Sequence, residues 1–162
     1  YNMLHRQRFE EEYFPLYRPP YSLGTTIWSP LRSGFLTGKY LDGIPEDSRP
    51  TQDGYDWLLE DIEERRERGE FEIVRGLMTF AEKKGCTPAQ LAIAWLLHQG
   101  SHIHPIPGSA NVDHVYENAR SDSVQLDPAT LAELDQLINQ QTVVGNRYDA
   151  QAQSEVDTEF FA

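Results

Sequence analysis

Few stretches leave a chain as little choice as Thr87–His98. Thr87-Pro88-Ala89-Gln90 is a helix start. Threonine serves as N-cap, proline sits where its missing N–H costs nothing, and glutamine three residues on completes a capping box. Behind it Leu91, Ile93, Ala94, Trp95, Leu96 and Leu97 make the helix apolar nearly all round, and Gly100 stops it. Such a helix is buried on several sides, so the chain must build layers around it. With 162 residues, 39% of them hydrophobic, it has material for one cored domain, and a disordered chain is not expected.

The layers follow from the rest of the pattern. Thr25–Trp28 is β-branched or aromatic and reads as a short buried strand, stopped by Ser29-Pro30. His102–Ile106 is a second strand, bounded by Gly100 and Pro107-Gly108, and Tyr1–Leu4 resembles the end of a third. Between and after them lie helices. Arg6–Phe14 is short, with Phe9 and Tyr13 on one face. Asp53–Arg68 is highly charged, with Trp57, Leu58 and Ile62 as its apolar edge, and Glu60, Glu63 and Glu64 facing nearby arginines. Glu70–Lys84 carries Phe71, Val74, Leu77, Met78 and Ala81 at helical spacing and ends at Gly85. Asn111–Ser121 has Val112, Val115, Tyr116 and Ala119 as its expected buried face. A last helix opens at Asp127-Pro128, with Leu131, Leu134, Leu137 and Ile138 as its stripe. Strands alternating with helices predict an α/β fold with parallel strands under a helical cover. The domain is expected over 1–139, and 140–162 as an extended or loosely held tail.

Both main strands run into loops suited to an anion. After Trp28 come Gly34, Gly38 and the cation Lys39. Glycines let backbone approach a ligand, and free N–H groups accept its charge. By composition alone Trp28 reads as a core tryptophan, and the junction as an ordinary strand-to-loop turn. His114, Glu117 and Asn118 share one helical face, which on its own is equally a solvated face. The net charge is −12, which argues against nucleic acid and anionic membranes as partners, so a phosphate site must be a local positive exception. Lys39 and Arg49 are the candidates. The lone Cys86 allows no intrachain disulfide and reads as structural; with no membrane-spanning apolar run and no signal-peptide organisation at the start, a cytoplasmic location is expected. Neither the histidines nor Cys86 has metal-ligand spacing, and no metal is expected.

The stretch WSPL-x-SG-x-LTGKY, followed by Asp42–Arg49, resembles the aldo-keto reductases, in the branch that includes the potassium-channel β subunits. Pro105–Ala119, PIPGSANVDHVYENA, resembles that family's last strand and adenosine-binding helix. The likeness runs from Tyr1 to about Asn139 and covers the C-terminal half of the family's (β/α)8 barrel, a fold that needs about 250 residues. It implies about three parallel strands with covering helices, and an NADPH cofactor. Trp28 would stack on the nicotinamide. Ser29, Pro30, Leu31, Arg32, Ser33 and Gly34 would wrap the pyrophosphate, with Lys39 and Arg49 neutralising it. Gly108 and Ala110 would meet the 2′-phosphate beside His114, and Glu117 with Asn118 would hold the adenine. Ala110 stands where relatives often have serine, and His114 where close relatives have glutamine or arginine; both weaken the 2′-phosphate grip, so NADH is a possible alternative. Asp47 stands where the channel subunits often have tyrosine.

The likeness also implies an activity, reduction of aldehydes or ketones to alcohols. The family's catalytic tyrosine, lysine, aspartate and histidine match no position here, so no catalytic residue is assigned. The chain would carry the cofactor-binding half, completed by the N-terminal half of the barrel or a partner chain, with homo-oligomerisation a further expectation. The chain begins without an initiator methionine, as a fragment or processed product would. The alternatives are a channel-β-like accessory protein that binds nucleotide, and an inactive truncated reductase.

Overall fold

The computed structural model describes residues 1–139. Two short strands, β1 (Thr25–Ile27) and β2 (Ile103–Pro105), pair in parallel, with Thr25 opposite Ile103 and Ile27 opposite Pro105. Three helices make the crossover between them: α1 (Asp56–Glu67), α2 (Glu70–Lys84) and α3 (Pro88–His98). Parallel pairing requires a long connection of this kind. After β2 come α4 (Val112–Ala119) and α5 (Pro128–Asn139). The α/β character and the parallel pairing are as the sequence predicts, but the described residues hold two strands, not three. Tyr1–Leu4 is not a strand. The Asn2 side-chain oxygen accepts the N–H groups of Leu4 (3.0 Å) and His5 (3.1 Å) and folds the segment into a turn closed by one antiparallel bridge, Asn2 to His5. Nor does Arg6–Phe14 form an ordinary α-helix. A wide turn at Phe9–Tyr13 runs straight into a tight one at Phe14–Tyr17, with the Phe9 and Tyr13 rings edge-to-face at 6.5 Å.

The core is built around α3, as its composition requires. The capping box is complete: Gln90 N–H donates to Thr87 Oγ1 (3.2 Å), and Thr87 N–H donates to Gln90 Oε1 (3.0 Å). Leu91, Ala94, Trp95 and Leu96 are almost wholly buried, each large apolar side chain contributing about 1.5–3 kcal/mol. Leu97 emerges on the outer side. Helix α2 lays Phe71, Ile73, Val74, Leu77 and Ala81 into the core, while Met78, expected in that stripe, is 42% exposed. Gly85 ends α2 in the left-handed conformation (φ 68°). Helix α5 starts where Asp127 Oδ1 accepts the Thr130 N–H (2.8 Å), and Lys84 Nζ donates to Thr130 Oγ1 (2.6 Å). The expected tail, 140–162, lies outside the described residues.

Two faces depart from expectation. Helix α1 buries Leu58 and Ile62, but Trp57 points outward at 53% exposure. Beside them Arg65, its side chain 1% exposed, is held by both oxygens of Asp61 (2.9 Å each) and by Glu70. On the outer face Glu63 pairs with Arg66 and Glu64 with Arg68, while Glu60 has no arginine partner among the described residues. Helix α4 buries nothing: Val112, Val115 and Tyr116 are 67%, 51% and 65% exposed. Its apolar period is real, but no described residue covers that face.

Candidate functional site

Strands β1 and β2 end together. The Ile106 N–H donates to the Ile27 carbonyl at 2.9 Å, so Trp28 and Pro107-Gly108 leave the sheet from the same carboxyl edge. In parallel α/β folds this edge is where ligands sit. Trp28 is 50% exposed, unlike Trp95 in the core at 1%, so it is a surface indole. The loop after it is tightly wound. Ser29, Arg32, Ser33 and Gly34 all have positive φ (49°, 48°, 54° and 89°). Non-glycine residues seldom adopt this region; here it winds the loop so tightly that the Arg32 and Gly34 N–H groups donate back to the Ser29 and Leu31 carbonyls (3.0 Å each). The loop is pinned at several points. Ser29 O accepts from Asn2 Nδ2 (3.2 Å) and from the Arg32 N–H (3.0 Å); Ser33 O accepts from the Tyr40 hydroxyl (3.1 Å); Gly34 O accepts from Thr37 Oγ1 (2.7 Å). Pro30 is buried and Leu31 packs on the core.

Lys39 reaches back to this loop. A Cβ placed on Gly34 would lie 2.8 Å from Lys39 Nζ and 2.6 Å from its Cε, so the lysine stem fills the space the glycine leaves. The ammonium lies 4.8 Å from the Tyr40 ring centre, and the Arg49 guanidinium 5.6 Å from that of Tyr55. Neither cation has a carboxylate partner among the described residues. Burial, and then the charge of Arg49, lower the Lys39 pKa; burial raises the Tyr40 hydroxyl, with Arg49 opposing. Two cations thus press on each other in a chain of net charge −12, an arrangement that an anion relieves. Arg32 is differently employed. Its guanidinium donates to Asp61 Oδ1 at 3.0 Å, which ties the loop to α1. Burial alone would raise the Asp61 carboxyl, but the hydrogen bond and charge of Arg65 together with the charge of Arg32 outweigh it, and the pKa is lowered.

The second loop leads into α4. Gly108 and Ala110 are exposed, and Asn111 caps the helix by accepting from the Asp113 N–H (2.8 Å) and the His114 N–H (3.4 Å). His114 lies on the surface; Glu117 and Asn118 are half-buried. Glu117 is engaged with α3: its Oε1 accepts from Thr87 Oγ1, and its carbonyl accepts from Gln90 Nε2 (3.1 Å). Cys86 is a half-buried free thiol whose pKa burial raises, the opposite of what a reactive cysteine needs.

The sequence profile of the aldo/keto reductase family matches residues 1–139. The chain belongs to the aldo/keto reductase family. It is 37% identical over 141 residues to a candidate voltage-gated potassium channel subunit beta of Schizosaccharomyces pombe, an alignment covering 86% of this chain and 40% of that relative. The chain therefore spans less than half the length of that relative. Membership in the family implies a TIM-type barrel, and a parallel strand pair under helices is consistent with part of such a barrel. No helix among the described residues is long and apolar enough to cross a membrane.

Sequence reasoning missed three residues or groups that shape this rim. Asn2 is buried, and nothing local marks it as the residue that holds Ser29. Asp61 and Arg65 have the four-residue spacing of a helical ion pair, a legible signal, but their union with Arg32 is long-range. The capping box at Thr87 was plain, whereas its grip on Glu117 was not.

Proposed function

We propose that this chain is the nucleotide-binding part of an NADPH-dependent aldo/keto reductase that reduces small aldehydes or ketones to alcohols. The observation that carries the reading is the common exit of two anion-suited loops, Trp28–Lys39 and Gly108–Asn118, from one edge of a parallel strand pair. The residues fit a dinucleotide. Trp28 offers a flat, half-exposed indole for the nicotinamide to stack on. The wound loop Ser29 to Gly34, with the Ser29 and Ser33 hydroxyls, would wrap the pyrophosphate, and Lys39 and Arg49 would be its charge partners, with no competing carboxylate among the described residues. Gly108, Ala110 and His114 would meet the 2′-phosphate, and Glu117 with Asn118 the adenine; the absence of a serine at 110 leaves NADH as a poorer second ligand. The nicotinamide, when bound, supplies the hydride. This chain's part is to hold the ring against Trp28, leaving the other face to the substrate, and to fix the phosphates. The proton donor and substrate pocket belong to the remainder of the barrel, whether the same chain or a partner provides it. The acidic charge and single cysteine favour a cytoplasmic protein that binds neither nucleic acid nor membrane, and self-association is a further part of the proposal.

A second reading draws on the relative from S. pombe: a channel-β-like accessory protein in which the bound nucleotide reports redox state and turnover is slow. Titration of the intact protein with NADPH tests the binding claim common to both. Tryptophan emission is expected to fall in the wild type and not in Trp28→Ala; no quenching in the wild type, or an unchanged response in the variant, overturns the reading. Steady carbonyl reduction at about 1 per second or faster separates the enzyme from the accessory protein.

A further inference from the structure

Helix α4 has an unusual problem. It buries no side chain, so apolar burial does little to fix it. Polar contacts with α3 therefore bear directly on where its Glu117 stands. In the α3 capping box Thr87 Oγ1 accepts from the Gln90 N–H, and Gln90 Oε1 accepts from the Thr87 N–H. Each side chain is then left with a donor to spend: the threonine hydroxyl hydrogen and the glutamine amide N–H. Both go to the same residue. Thr87 Oγ1 donates to Glu117 Oε1, and Gln90 Nε2 donates to the Glu117 carbonyl. The carboxylate is thereby held at one oxygen and the backbone at its carbonyl, two points that together fix both the turn and the rotamer.

Only Oε1 is used. Oε2 accepts no hydrogen bond among the described residues, and neither does the Asn118 side-chain amide donate or accept one. A carboxylate oxygen beside a primary amide matches the exocyclic amine and adjacent ring nitrogen of adenine, which present a donor and an acceptor. We infer that Thr87 and Gln90 are positioning residues for adenine recognition: the N-terminal box of α3 serves also as a clasp that presents Glu117 to the nucleotide. This rests on the dinucleotide reading above.

The cap and the clasp can be separated. Thr87→Asp keeps a good N-cap acceptor for the Gln90 N–H but cannot donate to Glu117, and it sets a second carboxylate against it. Thr87→Ser keeps both functions. Calorimetric titration of the intact protein with NADPH and with 2′,5′-ADP, the adenosine half alone, is the test. Thr87→Asp is expected to weaken both about tenfold, to leave the melting temperature within a few degrees of wild type, and to leave the depth of Trp28 quenching at saturation unchanged; Thr87→Ser is expected to bind as wild type. Wild-type affinity in Thr87→Asp overturns the inference. So does a loss of the Trp28 response along with a falling melting temperature, since that is general loosening. If the wild type binds neither nucleotide, the dinucleotide reading itself fails and takes this inference with it.

Discussion

At the scale of single residues, Asp61 has the most consequence. It joins Arg65, whose side chain is 1% exposed, to Arg32 in the loop after Trp28. Glu70 still pairs with Arg65 when Asp61 is neutralised, so the charge is not left uncompensated, and the loss is that of the charge-assisted hydrogen bonds Asp61 accepts. Asp61→Asn is expected to lose about 1.5–3 kcal/mol in urea unfolding. The pH dependence has a definite sign. The Asp61 pKa is lower folded than unfolded, so its contribution is complete above the ordinary aspartate value of about 3.9 and is lost as pH falls through the folded value. Acid unfolding of the variant should show a shallower limb in that window. Gly34 carries a second prediction. A methyl group there meets Lys39 at 2.6–2.8 Å on a backbone with φ 89°. Gly34→Ala is expected to displace the ammonium and weaken NADPH severalfold, read by the same tryptophan titration; unchanged affinity would mean that Lys39 does not serve the phosphates. Arg32 shows where residue-level reading stops. Its position in the loop was legible, but whether its guanidinium faces a phosphate or a carboxylate 29 residues away depends on packing.

Elements were legible in proportion to how local their signals are. The Thr87 box lies within four consecutive residues, and it starts α3 as written. Gly85 ends α2 with φ 68°, and a Cβ there would meet nothing within 4 Å. Gly85→Ala should therefore cost only the left-handed backbone, about 1 kcal/mol, measured as a lowered denaturation midpoint without a change in slope. A larger loss would show that the position is packed. Period was the weaker guide. Val112, Val115 and Tyr116 share a face, as their spacing says, yet spacing reports which residues lie together and not whether anything covers them. Tyr1–Leu4 failed for a related reason: its apolar look suited a strand, but one asparagine side chain captured two backbone N–H groups and turned it. Trp57 and Trp28 look as core-bound as Trp95 by composition, and only packing separates them.

At the scale of the whole molecule, the account depends on two loops far apart in sequence acting on one ligand. The parallel pairing brings their origins together, with Ile27 and Ile106 sharing a hydrogen bond. The strand pair has no further partner among the described residues, and unpaired strand edges invite association. Hydrogen–deuterium exchange of the intact protein, with and without NADPH, tests the shared site most directly. Peptides covering Trp28–Lys39 and Gly108–Asn118 are expected to gain protection together, at the same nucleotide concentration, while α2 and the outer face of α1 stay unchanged. Protection at one of the two loops alone, or at neither, would contradict a dinucleotide lying across both strand ends.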